Sequence, residues 1–328
     1  MRPGERTLRL LLEPIAQWLD DPCVTDICIN RPGEVWVERR GVWHCKAVPL
    51  DFVTLDSIAT LAAAMTSQDI GPDKPLCATT LPDGQRVQLC RPPAVAPGLI
   101  NLTIRLPASF NPTVRRLAEG GLFAAKPERK ALADRLAVAY GQHVEFLPAA
   151  VETKKNILVC GATGSGKTTL ARALIDAIPA DERLVTIEDT PEWEALPHRN
   201  RVALFYSKGD QGTARVRSED LLEASLRLRP DRVLMQELRD GAAYSYLRGA
   251  VAGHPGSVTT LHAGSAMGAF DALRLMVRQH PAGATMADTD VRDMLVMMVD
   301  VVVHCERHGN DFSVTEVYWK DQPHATHA

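Results

Sequence analysis

The stretch Gly161-Ala162-Thr163-Gly164-Ser165-Gly166-Lys167-Thr168 places three glycines, a lysine and a closing hydroxyl at the spacing G-x-x-x-x-G-K-[ST], and Thr169 continues it. Glycines let a backbone curl until successive N–H groups point inward, and a helix that starts just beyond adds its positive end. Phosphate oxygens suit such a cradle. Lys167 then reaches the β- and γ-phosphates, and the Thr168 hydroxyl ligates Mg²⁺. The flanks agree, because "NILVCG" reads as a buried strand and "LARALIDAI" as a helix. The motif therefore predicts a nucleoside triphosphate site spanning residues 161 to 169.

Hydrolysis needs an acid at the end of a neighbouring strand, to hold the water shell of the metal or to orient the attacking water. Two candidates stand in the right context. "RLVTIEDTPEW" ends an apolar run in Glu188, and "RPDRVLMQELRDG" ends another in Glu237. Val233-Leu234-Met235 puts Glu237 at a carboxyl-terminal strand edge, where open α/β sheets bind ligands. Glu237 is thus expected to join Thr168 at the metal, through water. In "GHPGSVTTLHAG", His254 and His262 lie too far apart, with no regularly spaced cysteine or acid between them, to read as metal ligands. "SVTTLHA" reads instead as a core strand that carries His262 to the same edge. A neutral imidazole there can bond the γ-phosphate, its water or the carboxylate. For His254 a structural role weighs equally.

The elements that must position these groups fall into two patterns. Leu8, Leu11, Leu12, Ile15 and Leu19 recur at helical spacing, which predicts an amphipathic helix packed on its own domain. Ile27/Ile29 and Val35/Val37 flank Arg31-Pro32-Gly33-Glu34 as a hairpin, followed by a helix near Leu55 to Met65 and strands in "ATTLPDGQRVQLC" and "LINLTIRLP". "PASFNPTV" reads as a linker. Beyond it, "NILVCG", "RLVTIED", "RVLMQE", "GSVTTLHA" and "DVVVHCE" alternate with helical stretches, which predicts a mostly parallel sheet covered on both faces. One of those helices is expected to start with Ser218 as its cap and to stop at Pro230. The expected division is a smaller α+β domain over 1–106, a linker over 107–114 and an α/β domain over 115–328.

Bulk properties narrow the functional classes. The 328 residues carry a net charge of -3, with 45% apolar and 5% aromatic side chains. A protein that mainly grips nucleic acid needs basic walls and stacking platforms, so a nucleic-acid motor is disfavoured. Seven cysteines without a C-x-x-C pair argue against a disulfide framework or zinc ribbon. The apolar run Met294 to Cys305 is short for a membrane span and contains Asp300. No LSGGQ-like run and no N-K-x-D occur, which favours ATP over the ABC and GTPase alternatives.

"GATGSGKTT", "TIEDTPEW", "LRLRPDRVLMQELRD" and "AGHPGSVTTLHAGS" follow one another in an order that resembles the secretion ATPase superfamily, with its Walker A loop, aspartate box, Walker B strand and histidine box. The histidine-box wording is similar to that of the hexameric traffic ATPases of type IV secretion and conjugation, and "CVTDICINRPGEVWVE" resembles the start of their N-terminal domain. Gln236 departs from the pattern, which often has a small residue before the glutamate. The resemblance implies a RecA-like C-terminal domain, an N-terminal domain and a homohexamer with nucleotide between the two domains. It implies partners among the other ATPases and inner-membrane components of a secretion machine, and a cytoplasmic place at the inner-membrane face with peripheral contact. Arg86 in "GQRVQL" and Arg105 in "LTIRLP" match the contexts of arginines that reach the phosphates. A RecA-like nucleic-acid motor and a nucleotide-switched structural hexamer with incidental turnover stay as alternatives, and direct nucleic-acid binding stays open.

Overall fold

The computed structural model describes residues 4–107, 114–115, 134, 136–139, 141–193, 195–206, 216–251, 253–309 and 311–322. Most of the expected linker, 108–113, lies outside the described residues. By packing, the chain forms two compact units. Asp189–Pro191 and Asn200–Pro230 belong with the N-terminal unit, and the second unit holds the rest beyond Ala125.

In the first unit the leucine stripe forms a helix, Glu5–Leu12, which Pro14 tightens into a 3₁₀ turn before a short second helix, Ala16–Leu19. Leu8, Leu12 and Ile15 are buried, so the stripe is a core face. The strands are β1 (Val24–Ile29), β2 (Glu34–Arg39), β3 (Val42–Ala47), β4 (Leu76–Thr80), β5 (Arg86–Cys90) and β6 (Asn101–Arg105). They run in the order β3-β2-β1-β6-β5-β4, every neighbouring pair antiparallel. The helix Phe52–Met65 packs Leu55, Ile58 and Ala62 into the same core, and the Asp51 side chain caps it by accepting from Thr54 N at 2.8 Å.

The second unit contains β7 (Ile157–Gly161), β8 (Leu184–Glu188), β10 (Arg232–Met235), β11 (Val258–Leu261), β12 (Val301–His308) and β13 (Asp311–Trp319), while β9 (Arg201–Phe205) groups with the first unit. Six strands run in the order β13-β12-β7-β11-β10-β8. All these neighbours are parallel except β12 and β13, an antiparallel hairpin at the end of the layer. Every residue of β7, β8, β10 and β11 is buried, as expected for parallel strands covered on both faces. Helices Lys167–Asp176, Ala266–Gln279 and Asp288–Met298 carry the intervening amphipathic segments. No helix among the described residues is long and apolar enough to cross a membrane.

Two local expectations are corrected. The helix expected to be capped by Ser218 spans Ser218–Ser225 with Arg217 as its cap residue, because the Asp220 carboxylate reaches back to accept from Arg217 N at 3.0 Å. It also ends at Ser225, short of Pro230, and Arg229, the residue before the proline, has a left-handed φ of 56°.

Candidate functional site

β7 ends in Gly161, whose φ of 150° suits glycine alone. A Cβ there would strike the Cys305 carbonyl oxygen and stand 2.5 Å from Ser165 Oγ. Gly164 and Gly166 also have positive φ, 74° and 85°, and the helix begins at Lys167. Sequence and structure thus agree on a strand, a glycine-curled loop and a helix start. Within the loop, Ala162, Thr163, Thr168 and Thr169 are exposed, whereas Ser165 and Lys167 are buried. Ser165 Oγ has no hydrogen-bond partner among the described residues. Lys167 is only 8% exposed, and its Nζ donates to Ala162 O at 2.7 Å. Burial pulls the Lys167 pKa below the usual lysine value, and the Glu237 charge opposes that pull. A desolvated ammonium and an unpartnered buried hydroxyl are the groups a phosphate would satisfy.

Neighbouring parallel strands bring the other candidates to this edge. β11 lies beside β7 with Leu261 opposite Cys160, so His262 follows at the level of Gly161. β10 lies beyond β11 and delivers Glu237 two residues past its end; β8 follows and ends in Glu188. His262 Nε2 stands 3.0 Å from Glu237 Oε1, and Arg239 holds Oε2 at 2.5 Å. The histidine contact has ion-pair distance without hydrogen-bond geometry, which leaves Oε1 buried and unsatisfied. Gln236, the departure from the superfamily pattern, has a structural place: its N–H donates to Ile187 O at 2.9 Å and its carbonyl accepts from Thr260 Oγ1 at 2.8 Å.

Glu188 differs from Glu237. It is 1% exposed, accepts from the Thr186 hydroxyl at 2.7 Å, and accepts from Glu192 N and Trp193 N at 3.1 and 3.0 Å. Those bonds tie its carboxylate to the loop that follows β8. His254 is half-buried, near the start of the turn into β11.

A cleft of about 540 Å³ opens at the loop, lined by Gly161, Ala162, His262, Gly264, Cys305 and Arg307. The end of β12 was not singled out by sequence reasoning, although "CERHGNDF" carries the turn-forming Gly309 between two strand patterns. Another cavity, of about 430 Å³, lies among Met267, Arg274, Asp288 and Tyr318 and holds none of these groups.

In the first unit, Arg86 and Arg105 are exposed and face each other across β5 and β6. Arg105 Nε donates to the buried Asp26 at 2.9 Å. Arg229, in the same unit, pairs with Glu38 at 2.6 Å and lies 3.7 Å from Asp26. Burial raises the Glu38 pKa, a shift that the Arg229 charge reduces without cancelling.

A buried parallel layer with a glycine-curled loop at its carboxyl edge, in a chain that also holds an antiparallel unit, defines a two-domain, RecA-like P-loop ATPase. Residues 11–308 match the family described as Type II/IV secretion system protein, and the chain belongs to that family. It is 43% identical over 320 residues to Protein VirB11 of Agrobacterium fabrum (strain C58 / ATCC 33970), covering 95% of this chain and 93% of that one. It is 42% identical over 320 residues to the type IV secretion system protein VirB11 of Brucella suis biovar 1 (strain 1330), covering 94% and 89%. The crystal structure of the VirB11 ATPase from the Brucella suis type IV secretion system in complex with sulphate matches with a TM-score of 0.88 at 40% identity, over 96% of this chain and 94% of that one. The protein is an ATPase of the type IV secretion class.

Proposed function

We propose that this ATPase works as a homohexameric motor that powers assembly of, or substrate transfer through, a type IV secretion system. It acts at the cytoplasmic face of the inner membrane, in peripheral contact with it, beside other ATPases and inner-membrane components of the machine. Its division of labour follows an N-terminal domain over 1–106, a linker over 107–114 and the ATPase domain over 115–328. The observation that carries the reading is the loop itself, where Ser165 Oγ is buried without a partner and the Lys167 ammonium rests on a backbone carbonyl.

In this reading the amides of residues 161 to 169 hold the phosphates of ATP, and Lys167 neutralises the β- and γ-oxygens. The exposed Thr168 hydroxyl and the Glu237 carboxylate are hard oxygen donors that fit Mg²⁺, an ion that keeps several waters and takes few protein ligands. Bound there, the ion supplies electrostatic stabilisation to the phosphates. Glu237 orients the attacking water, and His262, at 3.0 Å from its Oε1, senses the γ-phosphate through it. Glu188 serves by setting the loop after β8. Arg86 and Arg105 offset the charge that grows in the transition state, with Asp26 orienting Arg105. Because those arginines belong to the other unit, loss of the γ-phosphate becomes rigid-body motion.

Glu237→Gln is the decisive variant. Hydrolysis is expected to fall about 10²- to 10³-fold while ATP binding and ring assembly persist. Equal turnover in the variant would remove Glu237 from the mechanism. Arg86→Ala and Arg105→Ala are expected to lower kcat by ~10³. Single-stranded DNA should leave the rate unchanged; stimulation would favour the nucleic-acid motor.

A further inference from the structure

The β12–β13 hairpin ends against the phosphate loop. Arg307 and Phe312 are directly opposite partners in its register. One guanidinium nitrogen of Arg307 lies 3.5 Å from where a Cβ on Gly164 would project, and the Phe312 ring lies 2.9 Å from where a Cβ on Gly166 would project. At Gly166 a side chain would run into the ring, whereas at Gly164 the arginine is in ordinary contact and it is the φ of 74° that favours glycine. Arg307 Nε donates to Gly309 O at 2.8 Å, inside the hairpin turn, which fixes the guanidinium without neutralising it. Arg307 makes no ion pair among the described residues; it lines the cleft with Gly161, His262 and Glu306, whose carboxylate lies 3.2 Å from His308. Phe312 keeps 58% of its surface exposed. An arginine without an ion pair and an open aromatic face, side by side at a phosphate loop, suit a ligand that is both anionic and planar.

Direction decides which part of the ligand lies there. Glu237 and His262 come from β10 and β11, on one side of β7, while β12 and β13 stand on its other side. In-line attack puts the water on one side of the γ-phosphorus and the leaving β-phosphate on the opposite side. With water held by Glu237, the rest of the nucleotide must run away from β10 and β11, across β7 and toward the hairpin.

We propose that the Arg307–Phe312 pair is the nucleobase end of the nucleotide site: the base of ATP lies against the Phe312 ring, and Arg307 faces the α- and β-phosphates. The proposal rests on the assignment of the phosphate loop and water-side groups above. It predicts which losses depend on the base and which do not.

The test compares ATP with inorganic tripolyphosphate, which offers the same anionic chain without a base. Phe312→Ala is expected to weaken ATP binding about tenfold and to leave tripolyphosphate binding unchanged, whereas Phe312→Trp restores ATP affinity. Arg307→Ala is expected to weaken both ligands by a similar several-fold factor, more at low salt than at high salt. Equal loss of both ligands in Phe312→Ala would mean that the ring only braces Gly166, and unchanged ATP affinity would remove the base from it; either result overturns the proposal. Tripolyphosphate binding that is indifferent to Arg307→Ala overturns the phosphate role of Arg307. If the unaltered protein binds neither ligand, or Lys167→Ala leaves both unaffected, the failure lies in the phosphate-loop reading instead.

Discussion

The two edges of the parallel layer in the second unit differ in how several of their buried polar groups are partnered. At the amino-terminal edge, Asn156 Oδ1 accepts from Gly256 N and Ser257 N at 2.9 and 3.2 Å, and Asn156 N donates to Asp300 at 2.7 Å. The fully buried Arg232 there spends its donors on both Glu182 oxygens, each at 2.9 Å, and on the carbonyls of Val151 and Gly256. At the carboxyl edge, Ser165 Oγ and Glu237 Oε1 are buried without proper partners, and Lys167 makes do with one carbonyl. Leaving a buried polar group unsatisfied costs about 1–3 kcal/mol, so the second edge is held at some expense of stability. The contrast lies in particular residues: Asn156 and Arg232 lock strands together, whereas Ser165 and Glu237 keep oxygens for a ligand.

The sharpest way to break that contrast is to open the closed edge. Arg232→Ala removes a fully buried guanidinium, taking a donor from the carbonyls of Val151 and Gly256 and leaving the half-buried Glu182 with Lys154, and is expected to destabilise the second unit by about 3–5 kcal/mol. The urea midpoint reads this, and ATP affinity of the folded fraction should not change. If affinity falls in step with stability, the two edges are not separable.

Crowding the open edge should do the reverse. Gly161→Ala brings a Cβ into the Cys305 carbonyl and Ser165 Oγ, at a φ that alanine tolerates poorly. ATP affinity is expected to drop at least ~10-fold, with a smaller change in thermal midpoint. A titration of ATP against the variant checks it.

His262→Ala tests the open edge more gently. It removes a neighbour of Glu237 without adding bulk, and kcat is expected to fall about tenfold with KM unchanged. A rise in KM with constant kcat would make His262 a binding group instead.

The smallest effect concerns acid. Burial pushes the Glu182 pKa upward, but hydrogen bonds and charge from Arg232, aided by Lys154, bring it below the ordinary glutamate value of 4.5. A carboxylate depressed on folding stabilises above its unfolded pKa, and that gain is lost as pH falls through the folded value. Between about pH 6 and pH 3, wild type should therefore lose more stability than Glu182→Gln, in paired urea titrations. Parallel curves would show that the pair does not set the acid sensitivity of this edge.

Much of the site was legible because its rules are local. The phosphate loop is a run of consecutive residues, and its strand, glycines and helix obey short-range φ and periodicity constraints. Glu237 and His262 were legible for a related reason, since each closes a buried apolar run, and in a parallel layer such ends share one edge. Other features had no local signal. β9, "RVALF", is short and bounded by nothing decisive, and β13 alternates too weakly to stand apart from its turn. The cap at Arg217 depended on the carboxylate three residues later rather than on the more typical Ser218. Glu188 and Glu237 looked alike in sequence, yet only the folded loop after β8 shows that one is tied to backbone amides.

By itself the sequence determined the phosphate loop, most of the strands and helices in each half, and the class of chemistry, because each is written in neighbouring residues. Only the tertiary structure decided which acid keeps an unsatisfied oxygen, which buried arginine is consumed in holding strands, and that Arg307 and Phe312 arrive beside Gly164 and Gly166. Arg232 reaches back 50 positions to Glu182, and Arg307 and Phe312 reach the loop from the far end of the domain; no local spacing encodes a pairing that only packing brings about.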